Sequence, residues 1–96
     1  MTQPLFSPAA LEDIENIWDY TVETWGIDQA ERYTDAIRDA CFALATGEKQ
    51  GRNAFEIREG YFKHATGRHL IFFIKTGEGI AVIRVLHQSM DFETHL

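Results

Sequence analysis

The hydrophobic period changes once along this chain, near residue 57, and that change limits the fold more than any other feature. Before it, apolar residues recur at Leu11, Ile14, Ile17/Trp18, Thr21/Val22 and Trp25. A second set follows at Ala30, Tyr33, Ile37, Ala40/Cys41 and Leu44. Residues three and four apart share one helix face, so each set predicts an amphipathic helix. After residue 57 the pattern becomes strand-like. Ile57–Thr66, His69–Thr76 and Ile80–His87 read as three strands, separated by Gly67-Arg68 and Gly77-Glu78-Gly79 as hairpin turns.

The punctuation sharpens these elements. Ser7-Pro8 predicts a helix start, with Ser as cap and Pro at the first helical position, where its missing N–H costs nothing. Glu12, Asp13 and Glu15 lie near that start, where the helix dipole favours acids. Gly26 ends the first helix. Asp28, with Glu31 three residues on, predicts a capping box for the second, and Gly47 closes it. Helices joined this tightly form an antiparallel hairpin. Gln3–Phe6 reads as a short edge strand, Glu48–Phe55 as a polar connection, and Gln88–Leu96 as one helical turn or a flexible tail. The expected fold is therefore α+β: a short N-terminal strand, an αα-hairpin, then a three-stranded antiparallel meander packed on the helices. With no repeat, linker or low-complexity stretch, residues 1–96 are expected to form a single domain.

The meander carries apolar residues on both faces. Leu70, Phe72 and Ile74 alternate with Ile71 and Phe73, and Ile80, Val82 and Leu86 alternate with Ala81, Ile83 and Val85. The helices cover one face. A partner chain, a second copy, or the tail with Met90, Phe92 and Leu96 must cover the other, and a protein-binding surface on the sheet is expected.

Composition excludes several classes. One cysteine allows no internal disulfide and no cysteine zinc site. The longest apolar run, Leu70–Ile74, falls far short of the roughly 20 residues of a membrane span. Met1–Pro4 lacks the basic and apolar parts of a secretion leader, so a cytoplasmic location is expected. Charge is split: residues 1–48 hold ten acids and two bases, residues 49–96 seven bases and five acids. The acids read as a solvated helix surface, or the basic half as a dock for an acidic partner. A net charge of −6 argues against this chain gripping nucleic acid alone.

Catalytic signals are thin. There is no metal-binding helix motif, paired cysteine, phosphate loop or nucleophile elbow, so neither cofactor nor metal is expected. His64 and His69 flank a turn without a third ligand and read as ordinary surface histidines. Cys41 reads as a small core residue, and at least one of Trp18, Tyr20 and Trp25 as a packing anchor. Arg84, mid-strand, must be exposed, paired or used. Its partner is sought among Glu56, Glu59 and the acidic tail, or on an acidic protein or phosphate. Arg58 and Lys63 would extend a cationic rim. Arg84, Arg58 and His87 would make a crude acid/base and clamp for RNA cleavage, a combination cheap to find by chance.

Three segments in order resemble one family. Phe6-Ser7-Pro8-Ala9-Ala10-Leu11-Glu12-Asp13-Ile14 is similar to its Leu-Ser-Pro-x-Ala-x-x-Asp-Leu opening, continued by Ile17-Trp18-Asp19-Tyr20 and Trp25-Gly26. Ile57-Arg58-Glu59-Gly60-Tyr61 and Gly67-Arg68-His69-Leu70-Ile71-Phe72-Phe73 look like its first two meander strands. Ile83-Arg84-Val85-Leu86-His87-Gln88-Ser89-Met90-Asp91 is similar to its final strand and following turn. The family is the ParE toxins of the RelE/ParE superfamily, the toxin halves of bacterial type II toxin–antitoxin pairs. The resemblance implies inhibition or poisoning of DNA gyrase, neutralisation by a ParD-type antitoxin, and no catalytic residue. It implies a role in toxicity for the C-terminal segment, and it leaves Arg58, Tyr61, Lys63, Arg84, His87, Met90, Asp91 and Phe92 as candidate partner-binding residues. The alternative is a RelE-type ribosome-dependent mRNA endonuclease, whose relatives use Lys, Arg, Glu, His or Tyr on the sheet and near the C-terminus. Here the stretch Asp91–Leu96 has no Tyr and two acids, which would repel a scissile phosphate.

Overall fold

A computed structural model describes residues 2–96; Met1, part of the stretch read above for a leader, lies outside them. The elements run β1 (Leu5–Phe6), α1 (Pro8–Trp25), α2 (Ile27–Thr46), β2 (Arg52–Asn53), β3 (Tyr61–Thr66), β4 (His69–Thr76), β5 (Gly79–His87) and α3 (Phe92–His95). They build one sheet in the order β1-β5-β4-β3-β2. β1 pairs with β5 in parallel, and the other neighbours are antiparallel. The strand, helical hairpin and meander of the expected fold are all present.

Ser7 starts α1 as its spelling predicts. The Ala10 N–H donates to Ser7 Oγ at 3.0 Å, and Pro8 takes the first helical position. The same residue also stitches helix to sheet: Ser7 N–H donates to the Val82 carbonyl at 2.9 Å, and its hydroxyl donates to the Ile83 carbonyl at 2.6 Å. Gly26 alone joins the helices. Its φ of 94° is open to glycine and strained for other residues, and it ends α1 while starting α2. The expected Asp28 cap does not form, because the one-residue link starts α2 at Ile27 and leaves Asp28 already inside the first turn.

The main core lies between the hairpin and one sheet face. Ala10, Ile14 and Ile17 from α1 and Ile37, Cys41 and Leu44 from α2 meet Ile71, Phe73, Ile80, Val82 and Val85. The β4 alternation holds as read. The β5 alternation does not, because Arg84 pairs with Phe72 while Val82 pairs with Phe73, leaving Ile83 as an extra residue. Such a bulge shifts every later side chain to the other face. Val82 and Val85 therefore share the helix side, and Leu86 joins Phe72 on the far side.

Three boundaries also differ. Ile57–Gly60 is turn rather than strand, because the Ile57 and Arg58 N–H groups both donate to the Ala54 carbonyl. The polar connection contains β2, paired with Phe62 and Lys63. Leu11 and Trp25, read as part of the buried stripe, are 55% and 71% exposed. The stripe that α1 buries is narrower: Ala10, Ile14, Ile17 and Thr21.

Asp13 closes the structure at the β5 edge. One carboxylate takes two guanidinium N–H groups of Arg84 and the backbone N–H of Val85. Asp13→Ala leaves a largely enclosed cation and an edge amide unpaired, and should cost about 3 kcal/mol in urea unfolding. A loss within scatter of zero would show the clasp to be ornamental.

Candidate partner-binding site

The sheet face opposite the helices is organised around Phe72 and Leu86, both buried with Ala54. Two pieces of chain cover them. The turn after β2 brings Ile57, and the tail folds back as α3 to bring Phe92 and Leu96. The Phe92 and Phe72 rings sit 5.0 Å apart, and Asp91 caps the short helix by accepting from the Glu93 N–H and the Thr94 hydroxyl. The open sheet surface expected from sequence is therefore closed at its centre by the protein itself. Tyr61, Lys63, Arg84 and Phe92 gather on this side, with Arg58 beside them: its guanidinium carbon lies 5.8 Å from the Tyr61 ring centroid.

Arg84 is paired, though not with the acids sought for it. Nε and Nη2 donate to the two Asp13 oxygens at 2.7 and 2.8 Å, and Nη1 donates to the His95 carbonyl at 3.0 Å. The Asp13 hydrogen bonds hold the guanidinium charged, against a smaller opposing effect of burial. Glu56 pairs instead with Lys63, at 3.1 Å. Arg84 thus links α1 to the tail, and its charge is spent inside the fold.

His87 and Met90 lie elsewhere. They reach the helix side of the sheet, where Tyr20, Trp25, Tyr33, Arg68, His69 and His87 line a cleft of about 430 Å³. An adjoining hollow of about 310 Å³ is lined by Asp13, Val85 and Met90 among others. Arg84 and His87 therefore face opposite sides of β5, and the combination considered for RNA cleavage is not assembled. Gly67 makes the cleft possible: a Cβ there would meet the Tyr33 ring at 2.6 Å. The Tyr33 oxygen accepts the Arg68 N–H at 2.9 Å and shares a second hydrogen bond of 2.6 Å with His69 Nδ1. With Tyr33 as the donor of that bond, a neutral His69 carries its proton on Nε2. Burial, then the neighbouring His87, push His69 down to about 4, against the opposite pull of Asp13.

His69 is thus no ordinary surface histidine, and His64 stands on a different rung of the β3–β4 ladder. Among the described residues no three His, Cys, Asp or Glu side chains could hold a metal ion together. Cys41 is buried and its thiol is pushed up to about 12, which leaves it without nucleophilic character. Trp18 is half-buried, while Tyr20 and Trp25 are exposed. Sequence reasoning missed Asp13 and Tyr33 as site-building residues. Asp13 was legible only as a dipole partner, because its real partner lies 71 positions away.

Comparison with known proteins decides the family. The model described as the ParE toxin of the type II toxin–antitoxin system parDE matches residues 5–92. The chain belongs to the ParE toxin family. It is 47% identical over 93 residues to Toxin ParE1 of Mycobacterium tuberculosis (strain H37Rv), covering 96% of this chain and 95% of that protein. It is 34% identical over 90 residues to Toxin ParE1 of Caulobacter vibrioides, covering 94% and 93%. A structure of the chromosomal ParDE system of P. aeruginosa shares the fold, with a TM-score of 0.75, 19% identity, and coverage of 91% and 96%. The matched stretch of this ParE-family chain runs from β1 to the first residue of α3, so it includes both halves of the Asp13–Arg84 clasp. No helix among the described residues is long and apolar enough to cross a membrane.

The depressed His69 sets a pH dependence. Its folded value lies below the unfolded one of about 6.5, so the unfolded chain binds the extra proton between the two. Stability is fully present above pH ~6.5 and falls as pH drops toward ~4. The ring is only about half enclosed, so solvent screening reduces the effect to about 1 kcal/mol. Urea unfolding at both ends of that window, for the wild type and His69→Gln, measures it: the variant should lose the slope.

Proposed function

We propose that this chain is the toxin half of a type II pair, inhibits or poisons DNA gyrase by binding it, and is neutralised by a ParD-type antitoxin in the cytoplasm. The observation that carries this reading is the ParE family match across residues 5–92. The site geometry supports binding over catalysis. Arg84 is engaged by Asp13, and His87 lies on the other side of the sheet. The RelE-type alternative loses the Arg84–His87 combination.

On this reading Arg58, Tyr61, Lys63 and Phe92 meet a partner directly on the tail side of the sheet, and His87 and Met90 do so at the cleft. Arg84 and Asp91 act at one remove, by fixing where α3 sits. A tail held by one charged hydrogen bond and two apolar side chains is well placed to present itself to a target.

Purified gyrase provides the test. Supercoiling should fall as this protein is added, and a co-expressed antitoxin should restore it. Deleting residues 92–96 should remove the inhibition. Arg84→Ala, which frees the tail, should raise the inhibitory concentration about tenfold, the equivalent of about 1.4 kcal/mol. No inhibition by demonstrably folded protein would overturn the gyrase reading, and cleavage of messenger RNA on the ribosome would restore the alternative.

A further inference from the structure

His69 and His87 face each other across β4 and β5, the first residue of one strand opposite the last of the other. One position farther out, the Gln88 N–H donates to the Arg68 carbonyl at 2.9 Å. His69–His87 is therefore a non-hydrogen-bonded pair, in which opposite side chains approach most closely. Both rings are half-buried on the helix side of the sheet, with centroids 5.2 Å apart and planes at 87°.

The same atom is held on each ring. The Tyr33 oxygen lies 2.6 Å from Nδ1 of His69, and the Ser89 hydroxyl lies 2.7 Å from Nδ1 of His87. Among the described residues no hydrogen bond occupies either Nε2. Two adjacent imidazoles, fixed at one nitrogen and free at the other, make a chelating pair. A metal takes Nε2 only when the ring's proton sits on Nδ1. A hydroxyl accepts as readily as it donates, so Tyr33 and Ser89 can each hold that tautomer. The Ser89 N–H also donates to His87 Nδ1, at 3.1 Å; binding exchanges that bond for one from Nδ1–H to Ser89 Oγ. The proton moves between nitrogens of the same ring through water, so none is released net.

The surroundings select the ion. His69 and His87 share a hollow of about 310 Å³ with Met90, and the Met90 N–H donates to the His87 carbonyl at 2.9 Å, which ties Met90 to this end of β5. Ile17 and Val85 give the hollow apolar walls. A thioether is a soft ligand, and apolar walls penalise a doubly charged ion more than a singly charged one. The hairpin beside the hollow carries nine acids, of which Asp13 is engaged by Arg84 and the other eight are exposed. Their field favours a cation over an anion.

We propose that His69, His87 and Met90 form a site for one cuprous ion, bound by the two Nε2 atoms and the thioether sulfur. No third imidazole, thiolate or carboxylate joins the pair among the described residues, so the thioether completes the set. This goes beyond the functional reading above and does not rest on it.

The test adds cuprous copper, kept reduced by ascorbate in the absence of air, to the purified protein in competition with a coloured cuprous chelator. One ion should bind per chain. With methionine methyls and histidine rings labelled with carbon-13, the Met90 methyl and the rings of His69 and His87 should shift. The Met1 methyl and the rings of His64 and His95 should not. Cys41 is buried and does not compete. His87→Gln should weaken binding about a hundredfold and Met90→Leu about tenfold. Met90 is exposed and leucine is near it in size, so this second variant should fold normally, as its thermal melt will show. Zinc in about tenfold excess should leave the shifts in place. No binding, shifts spread over all four histidines, undiminished binding by the folded Met90→Leu variant, or displacement by zinc would each overturn the proposal. Neither gyrase nor an antitoxin enters the assay, so its outcome is separate from that of the functional reading.

Discussion

The carboxylate of Asp13 is the point on which the separate parts of this protein depend. It lies two turns into α1, and it holds a strand amide and an arginine that belong to the far end of the chain. The β5 bulge makes this possible. The extra residue at Ile83 turns Arg84 onto the tail side of the sheet, while the Ile83 carbonyl goes to Ser7 and the Val85 amide to Asp13. The outer edge of β5, unpaired beyond the two-residue β1, is thereby sealed by side chains of α1. Arg84 then carries the connection onward to the His95 carbonyl and the tail. Helix, sheet edge and C-terminus share one ionic centre. The desolvation of its charges is offset by bidentate geometry rather than by exposure to water.

Much of this fold was legible because local chemistry and the global arrangement agree. Ser7-Pro8, Gly26 and Gly47 set both helices, and β4 alternates as a two-sided strand must. What could not be read arose from long-range events. No local rule places a bulge at Ile83, so the faces of β5 were misassigned beyond Val82. The second helix needed no side-chain cap, because a single glycine serves both helices. Leu11 and Trp25 fit a helical stripe perfectly well, yet periodicity does not say which side of a wide stripe meets the sheet.

The candidate site divided along the same line. Arg58, Tyr61, Lys63 and Phe92 came together because alternation and the returning tail put them on one side. His87, three residues from Arg84, falls on the other side, next to a histidine whose setting by Tyr33 has no local signature. The sheet carries apolar side chains on both faces, and of the covers considered for the second face the tail is the one present, through Phe92 and Leu96. The protein buries the sheet centre under its own last residues and leaves the hairpin bare.

The clasp also bears on how the chain acquires its shape. Ser7 and Asp13 find their partners at residues 82–85, and β1 has no other strand to pair with. Contacts this far apart in sequence form late, since a long loop must close before any of them is rewarded. During synthesis the helical hairpin emerges first, with its sheet-facing stripe uncovered and Asp13 unpaired. A chain interrupted before Arg84 can never complete its sheet edge. Shape therefore waits on residues 82–85: the edge of the sheet and the start of the first helix are finished by the same few side chains, some seventy positions apart in the chain.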